Sequence, residues 1–145
     1  MPDARTDQTW GTSQLVEFLA VLSGQLDEGV AMRAAVERVL ESLDAEIGVL
    51  LDGDGLPSVV VGLRADDKRL FQLIAAGLDD GSGPHLDGFG ECRTACAALA
   101  AGENSYRLLV ARLGDEDFMP KELLLLRGMA WVLDLTQRQF AVLAG

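Results

Sequence analysis

Apolar residues recur every three or four positions over two early stretches of the chain. Leu15, Phe18, Leu19, Leu22 and Leu26 fall on one face of a helix that Thr12 or Ser13 can cap. Asp27 can cap a second helix, in which Met32, Val36, Val39, Leu40 and Leu43 form one stripe. The break at Leu26–Gly29 makes the two a helical hairpin. Residues 1–11 are polar and without periodicity, so they are expected to be a frayed lead. The texture changes at Ala45. Ile47, Val49 and Leu51 alternate with other residues, Asp52-Gly53-Asp54-Gly55 is a turn signal, and Pro57–Leu63 resumes as a second strand. Helical spacing returns over Asp66–Gly77 with Leu70, Leu73 and Ile74, and Gly77 can stop that helix.

Leu78–Gly90 is glycine-rich and reads as a loop with at most a short strand. Two further strands are expected over Arg93–Ala101 and Tyr106–Leu113, joined by a turn at Gly102-Glu103-Asn104. The last stretch opens with Pro120 at a first helical position and continues in good helix formers. Its apolar residues make more than one stripe. Leu123, Leu126, Ala130 and Leu133 form one, and Leu125, Met129, Val132, Phe140 and Leu143 form another, with Trp131 off the first. One sheet face needs one stripe, so the surplus points to a second copy of the chain or to a following domain. The alternative is that the first two helices absorb it. Consecutive strands joined by tight turns require a mainly antiparallel sheet. The expected class is α+β, with helices covering the sheet.

The chain has 145 residues, 49% of them hydrophobic and 24% charged, which suits one globular domain with a real core. The net charge of −11 argues against nucleic acid and anionic membrane as partners, since phosphate binding needs clustered Lys and Arg. The acids are spread along the chain and read as a solvated surface. The apolar runs are too short to span a bilayer, and the first residues lack a signal-peptide core. Two cysteines, Cys92 and Cys96, fit a reducing compartment, so a cytoplasmic location is expected.

The segment R-L-L-V-A-R-L-G-D-E-D-F-M-P-K-E-L-L-L-L-R-G-M-A-W-V-L-D-L-T-Q-R, together with the element order over residues 12–143, resembles a GAF domain, a small sensory module of bacterial signalling proteins. The likeness lies in a last strand, an acidic Phe-containing turn and a helix running Leu-Leu-X-X-Met-Ala. Met119 stands where the family has a capping Ser, a gap that Asp117 could partly fill. The wording of the helix is similar to actinobacterial proteins in which such a domain precedes cyclic-di-GMP turnover domains. Comparable helices lead into kinases and transcription regulators.

The resemblance implies a profilin-like antiparallel sheet of about six strands. The N- and C-terminal helices would lie on one face and form a homodimer through Leu15, Phe18, Leu22, Met129, Trp131, Val132, Leu135 and Phe140. The middle helix and loop, Phe71–Phe89, would lie over the other face as a lid. The floor would be Ile47–Leu51 and Arg93–Ala101. A small-molecule pocket there would draw on Leu51, Phe71, Ile74, His85, Phe89, Cys92, Arg93 and Cys96. The implied role is a non-catalytic sensor and dimerisation module that relays a signal through its last helix to a downstream output domain. The alternatives are a ligand-free dimerisation scaffold and a small cysteine redox enzyme of the methionine sulfoxide reductase type.

The residues offer little further chemistry. On one strand, Cys92 and Cys96 would share a face about 13 Å apart, beyond the roughly 7 Å reach of a disulfide. Cys96 reads best as a small buried hydrophobe. Cys92 is followed by Arg93, not by the His typical of bilin attachment. His85 is the only histidine, in G-S-G-P-H, so haem and bilin are disfavoured and the cofactor is left unknown. One histidine gives no structural zinc site. No catalytic triad, phosphate-cradling loop or cyclic-nucleotide signature is present. Arg93 and Arg107 could meet an anion, but as charged strand residues they are expected to face solvent or an acidic partner. The small side chains of T-A-C-A-A-L-A-A leave two readings open, a cavity over the sheet or close helix packing.

Overall fold

The computed structural model describes residues 4–78, 85–101 and 105–144. Helices α1 (Ala4–Ser23) and α2 (Glu28–Leu43) come first, followed by strands β1 (Ile47–Leu51) and β2 (Pro57–Val61). Helix α3 (Arg69–Leu78), β3 (His85–Leu86), β4 (Gly90–Ala98), β5 (Arg107–Leu113) and α4 (Pro120–Ala144) complete the order. The first helix starts at Ala4, not at Thr12, so the expected frayed lead is largely helical. The turn expected at residues 102–104 lies outside the described residues.

Each boundary has a local cause. Asp27 has extended backbone and accepts the Val30 N–H at 2.9 Å, which caps α2. The helix ends at Asp44, whose positive φ of 52° a short polar side chain tolerates, and Ala45 N–H closes on Leu40 O. Asp52 folds the β1–β2 turn by accepting the N–H groups of Asp54 and Leu56. After β2 the chain passes so close to Glu46 that a Cβ on Gly62 would lie 2.1 Å from its carbonyl oxygen. With φ at +92°, that position requires glycine.

Pairing is antiparallel throughout, in the order β2-β1-β5-β4-β3. Among the described residues the sheet has four substantial strands, and β3 adds two residues that meet only Gly90 and Glu91. The expected six strands are therefore too many. The layering is the one the resemblance implied. Leu50, Leu108, Val110 and Ala95 pack under α1, α2 and α4, with Phe18, Val36, Leu43, Leu126, Met129 and Leu133. Ile47, Val49, Leu51, Leu109 and Ala111 face the other way, against Leu70, Leu73 and Ile74 of α3. Strand β1 is buried on both faces, so it carries an unbroken apolar run rather than strict alternation.

Candidate functional site

The side of the sheet under α3 is where the resemblance implies a pocket. There Leu51, Leu70, Leu73, Leu86, Cys92, Leu109 and Ala111 are buried against one another. Gly77 brings α3 close enough that a Cβ on it would lie 2.2 Å from Leu109 Cδ1. Among the described residues this space is occupied by packed side chains.

The eight expected pocket residues do not converge. Leu51, Ile74 and Cys92 belong to the packed layer, and Cys96 lies beside it, half-buried. Phe71 points outward, 64% exposed. Arg93 is on the opposite face, because neighbouring strand residues alternate. It pairs there with Asp117 at 2.9 Å and does not reach the α3 side. His85 lies on β3 opposite Glu91, and its side chain is outside the described residues. Residues 79–84 of the expected lid are outside them as well.

Phe89 is held by a separate cluster. Asp67 accepts the Arg69 backbone N–H at 2.9 Å, and its two oxygens take Nε and Nη2 of the same guanidinium. Arg69 Nη1 donates to the Asp87 carbonyl, and the guanidinium lies 4.2 Å from the centre of the Phe89 ring. The cluster ties the start of α3 to the β3–β4 turn. Side-chain and backbone hydrogen bonds from Arg69 bring the Asp67 carboxyl down to about 2. A carboxylate lowered on folding stabilises the fold above its unfolded value of about 3.9, and the contribution disappears as pH falls through the folded value. Asp67→Asn is therefore expected to flatten the pH dependence of thermal unfolding between pH 5 and pH 2, checked by melting at each pH. An unchanged slope contradicts the assignment.

Burial pushes both thiols up, with Arg93 and Arg107 opposing it only in part. A raised thiol holds little thiolate at neutral pH. The two cysteines form no disulfide, and no group of three or more His, Cys, Asp or Glu among the described residues can hold a metal ion.

The start of α4 carries the main polar centre. Arg112 shares the β5 face of Leu108 and Val110 and is buried. Its guanidinium donates to the carbonyls of Leu43, Asp44 and Asp117 and to the Glu122 carboxylate. It also stacks 4.3 Å from the Phe118 ring centre. Glu122 returns with its other oxygen to the Met119 N–H at 2.8 Å. Glu122 thus caps α4 by reaching back from the third helical position. Asp117, the expected substitute cap, uses its carboxylate on Arg93 instead. The sequence reading overlooked Arg112. The available signal was a charged residue in phase with the apolar positions of its strand.

The expected dimer residues divide in two. Phe18, Leu22 and Met129 are buried in the chain's own three-helix layer, and Leu15, Val132 and Phe140 pack partly against it. They are core positions, because α1 and α2 absorb the stripes through Leu126 and Met129. Trp131 and Leu135 remain outside. With Leu124 and Val142 they form a line that is 65%, 64%, 61% and 78% exposed in the order 124, 131, 135, 142. Spacings of seven, four and seven keep these four on one helix face, in coiled-coil register. Gly128 sits beside the line where α4 meets α1, and a Cβ on it would approach Leu15 to 3.3 Å.

A second feature is a groove of about 840 Å³ along the outer edge of β4, lined by Thr94–Ala98, Arg107, Arg127 and Trp131. The small side chains do leave a cavity, but it lies at the sheet edge and not over the sheet.

No family model matches the sequence, and no curated protein matches it. Solved structures do match in fold. A GAF domain assigned to a putative sensor histidine kinase of Pseudomonas syringae pv. tomato is 20% identical, with a TM-score of 0.71 over 94% of this chain and 91% of that one. The GAF domain of a phosphoenolpyruvate-protein phosphotransferase from Coxiella burnetii is 12% identical, with a TM-score of 0.69 over 94% and 97%. The corresponding Acinetobacter domain is 9% identical, with a TM-score of 0.65 over 90% and 94%.

Proposed function

Starting from the GAF fold of this chain, we propose that it is a non-catalytic regulatory module that self-associates through α4 and passes a signal along that helix to an output domain. The carrying observation is the apolar line Leu124, Trp131, Leu135 and Val142, which no element among the described residues covers. Burying a leucine or valine side chain is worth about 1.5–3 kcal/mol. A second copy covers the line by a parallel, two-fold pairing of the same face. In such a pair, a change at the β5–α4 junction shifts both helices together and biases the attached output domains between two states. The kinase and phosphotransferase origins of the matching domains support this reading. The wording of α4 favours an output domain of the cyclic-di-GMP turnover kind.

A second reading, a scaffold without a ligand, is favoured by the packed layer under α3. The raised thiols of Cys92 and Cys96 weigh against a redox enzyme. The acid excess fits the absence of nucleic acid and membrane from the proposed partners, and the cysteine usage fits the cytoplasm. No helix among the described residues is long and apolar enough to cross a membrane.

Cross-linking tests the pairing. In a Cys96→Ser background, Leu135→Cys is expected to oxidise to a covalent dimer, because the residue lies near its own mate across the two-fold. Glu116→Cys, exposed in the turn before α4, is expected to stay reduced. Equal cross-linking of the two contradicts the proposal.

A further inference from the structure

Strand β2 forms the edge of the sheet opposite β3. Its residues Val59, Val60 and Val61 are a run of β-branched side chains, each half-buried. Such a run on a sheet edge is a template for pairing with another chain. Among the described residues no strand meets β2 on its outer side.

The register decides which main-chain groups face outward. Asp52 donates to Leu56 O at 2.8 Å, so the even-numbered residues of β1 and its turn bond the β2 side. Val49 and Leu51 are odd-numbered and turn to β5 instead. Their partners Val60 and Pro57 therefore turn away from β1. Both outward positions are blocked. Pro57 has no N–H to give to an added strand, the one placement in a sheet where that lack costs nothing. The Val60 carbonyl accepts from Nη1 of Arg33 at 3.3 Å. Between the two, the register shifts and Ser58 has no partner on β1. Its hydroxyl donates to Leu50 O at 3.1 Å. Past Val61 the edge stops, because Gly62 carries the chain against Glu46.

Arg33 reaches this edge from α2. Its Nε meets Glu37 one helical turn on, at 3.2 Å, which aims the guanidinium although the side chain is 59% exposed. The arginine thus takes the place at Val60 that an added strand would take.

We propose that Arg33 is a guard that closes the β2 edge against strand-to-strand pairing with a second copy of the chain. Pro57 and the shifted register at Ser58 close the first half of the strand, and Arg33 closes the second. The three valines can then stay at an edge without making it adhesive. The inference is independent of association through α4, because it uses residues of α2 and β2 alone.

The test is made in chains carrying Leu124→Glu and Leu135→Glu, which removes pairing through α4. If α4 does not pair, those glutamates leave association as it was, and the comparison at β2 reads the same. Pro57→Val, with Arg33 in place, is expected to sediment as this background does. Adding Arg33→Ala is expected to give association at a concentration at least about ten-fold lower. Losing a cation makes a chain of net charge −11 more acidic, so charge alone predicts the opposite. In the associated form, amide hydrogen exchange at Val60 is expected to slow at least about ten-fold, since its outward N–H gains a partner. Thermal unfolding checks that each variant is folded. If the chain with both β2 substitutions melts well below its background, Arg33→Ala alone is read in the same way, with an expected change of at least about three-fold. Equal association with and without Arg33 overturns the proposal. Association without slower exchange at Val60 also overturns it, by placing the contact on another surface.

Discussion

Replacing Arg112 by methionine is expected to lower the free energy of unfolding by about 3–5 kcal/mol, the range for breaking a buried ion pair from one side. The loss comes less from the pair itself than from the groups that stay behind. The carbonyls of Leu43, Asp44 and Asp117 lose their donor, and Glu122 is left as a poorly solvated carboxylate. Methionine keeps much of the stem's apolar contact, so cavity formation contributes little. Adding Glu122→Gln is expected to recover part of the loss, because the amide oxygen still accepts the Met119 N–H while the stranded charge disappears. Urea unfolding checks both variants, with unchanged m-values showing that the same surface is exposed. A loss below about 1 kcal/mol for the single variant contradicts the role given to Arg112. The residue ties the end of α2, the β5–α4 turn and the first turn of α4 together, so it sets the direction in which α4 leaves the sheet.

The pair Leu124→Glu and Leu135→Glu is expected to weaken self-association at least about 100-fold. Four buried leucines are lost per dimer at about 1.5–3 kcal/mol each, and every 1.4 kcal/mol is a factor of ten. Like charges then also face one another across the two-fold axis. Both positions are exposed within one chain, so the fold is expected to change by no more than about 0.5 kcal/mol. Light scattering measures the association and thermal unfolding checks the fold. Loss of folding without loss of association would place the leucines inside the chain's own packing.

The fold was legible where periodicity was long and local. The α2 stripe from Met32 to Leu43, its Asp27 cap and the β1–β2 turn can be read directly from the residues. The start of α1 was less legible, because its first polar residues carry no apolar stripe, yet they continue the helix from Ala4. The interface was legible only in part. Several stripes on α4 signalled excess apolar surface, but the sequence does not say which stripe α1 and α2 take. They take Leu126 from one stripe and Met129 from the other, and the line through Trp131 and Leu135 stays outside. The resemblance puts Arg93 and Cys92 in one pocket, but strand alternation sets them on opposite faces of the sheet. Arg112 lay in the apolar phase of β5, a signal that becomes readable once a charge in that phase is taken to need buried partners.

Sedimentation of the unsubstituted chain over a concentration range tests the central claim, that α4 pairs with its own copy. The expected result is a monomer–dimer equilibrium that saturates as dimer by about 100 μM, a modest affinity for an apolar line of this size. A strict monomer at several times that concentration would contradict it.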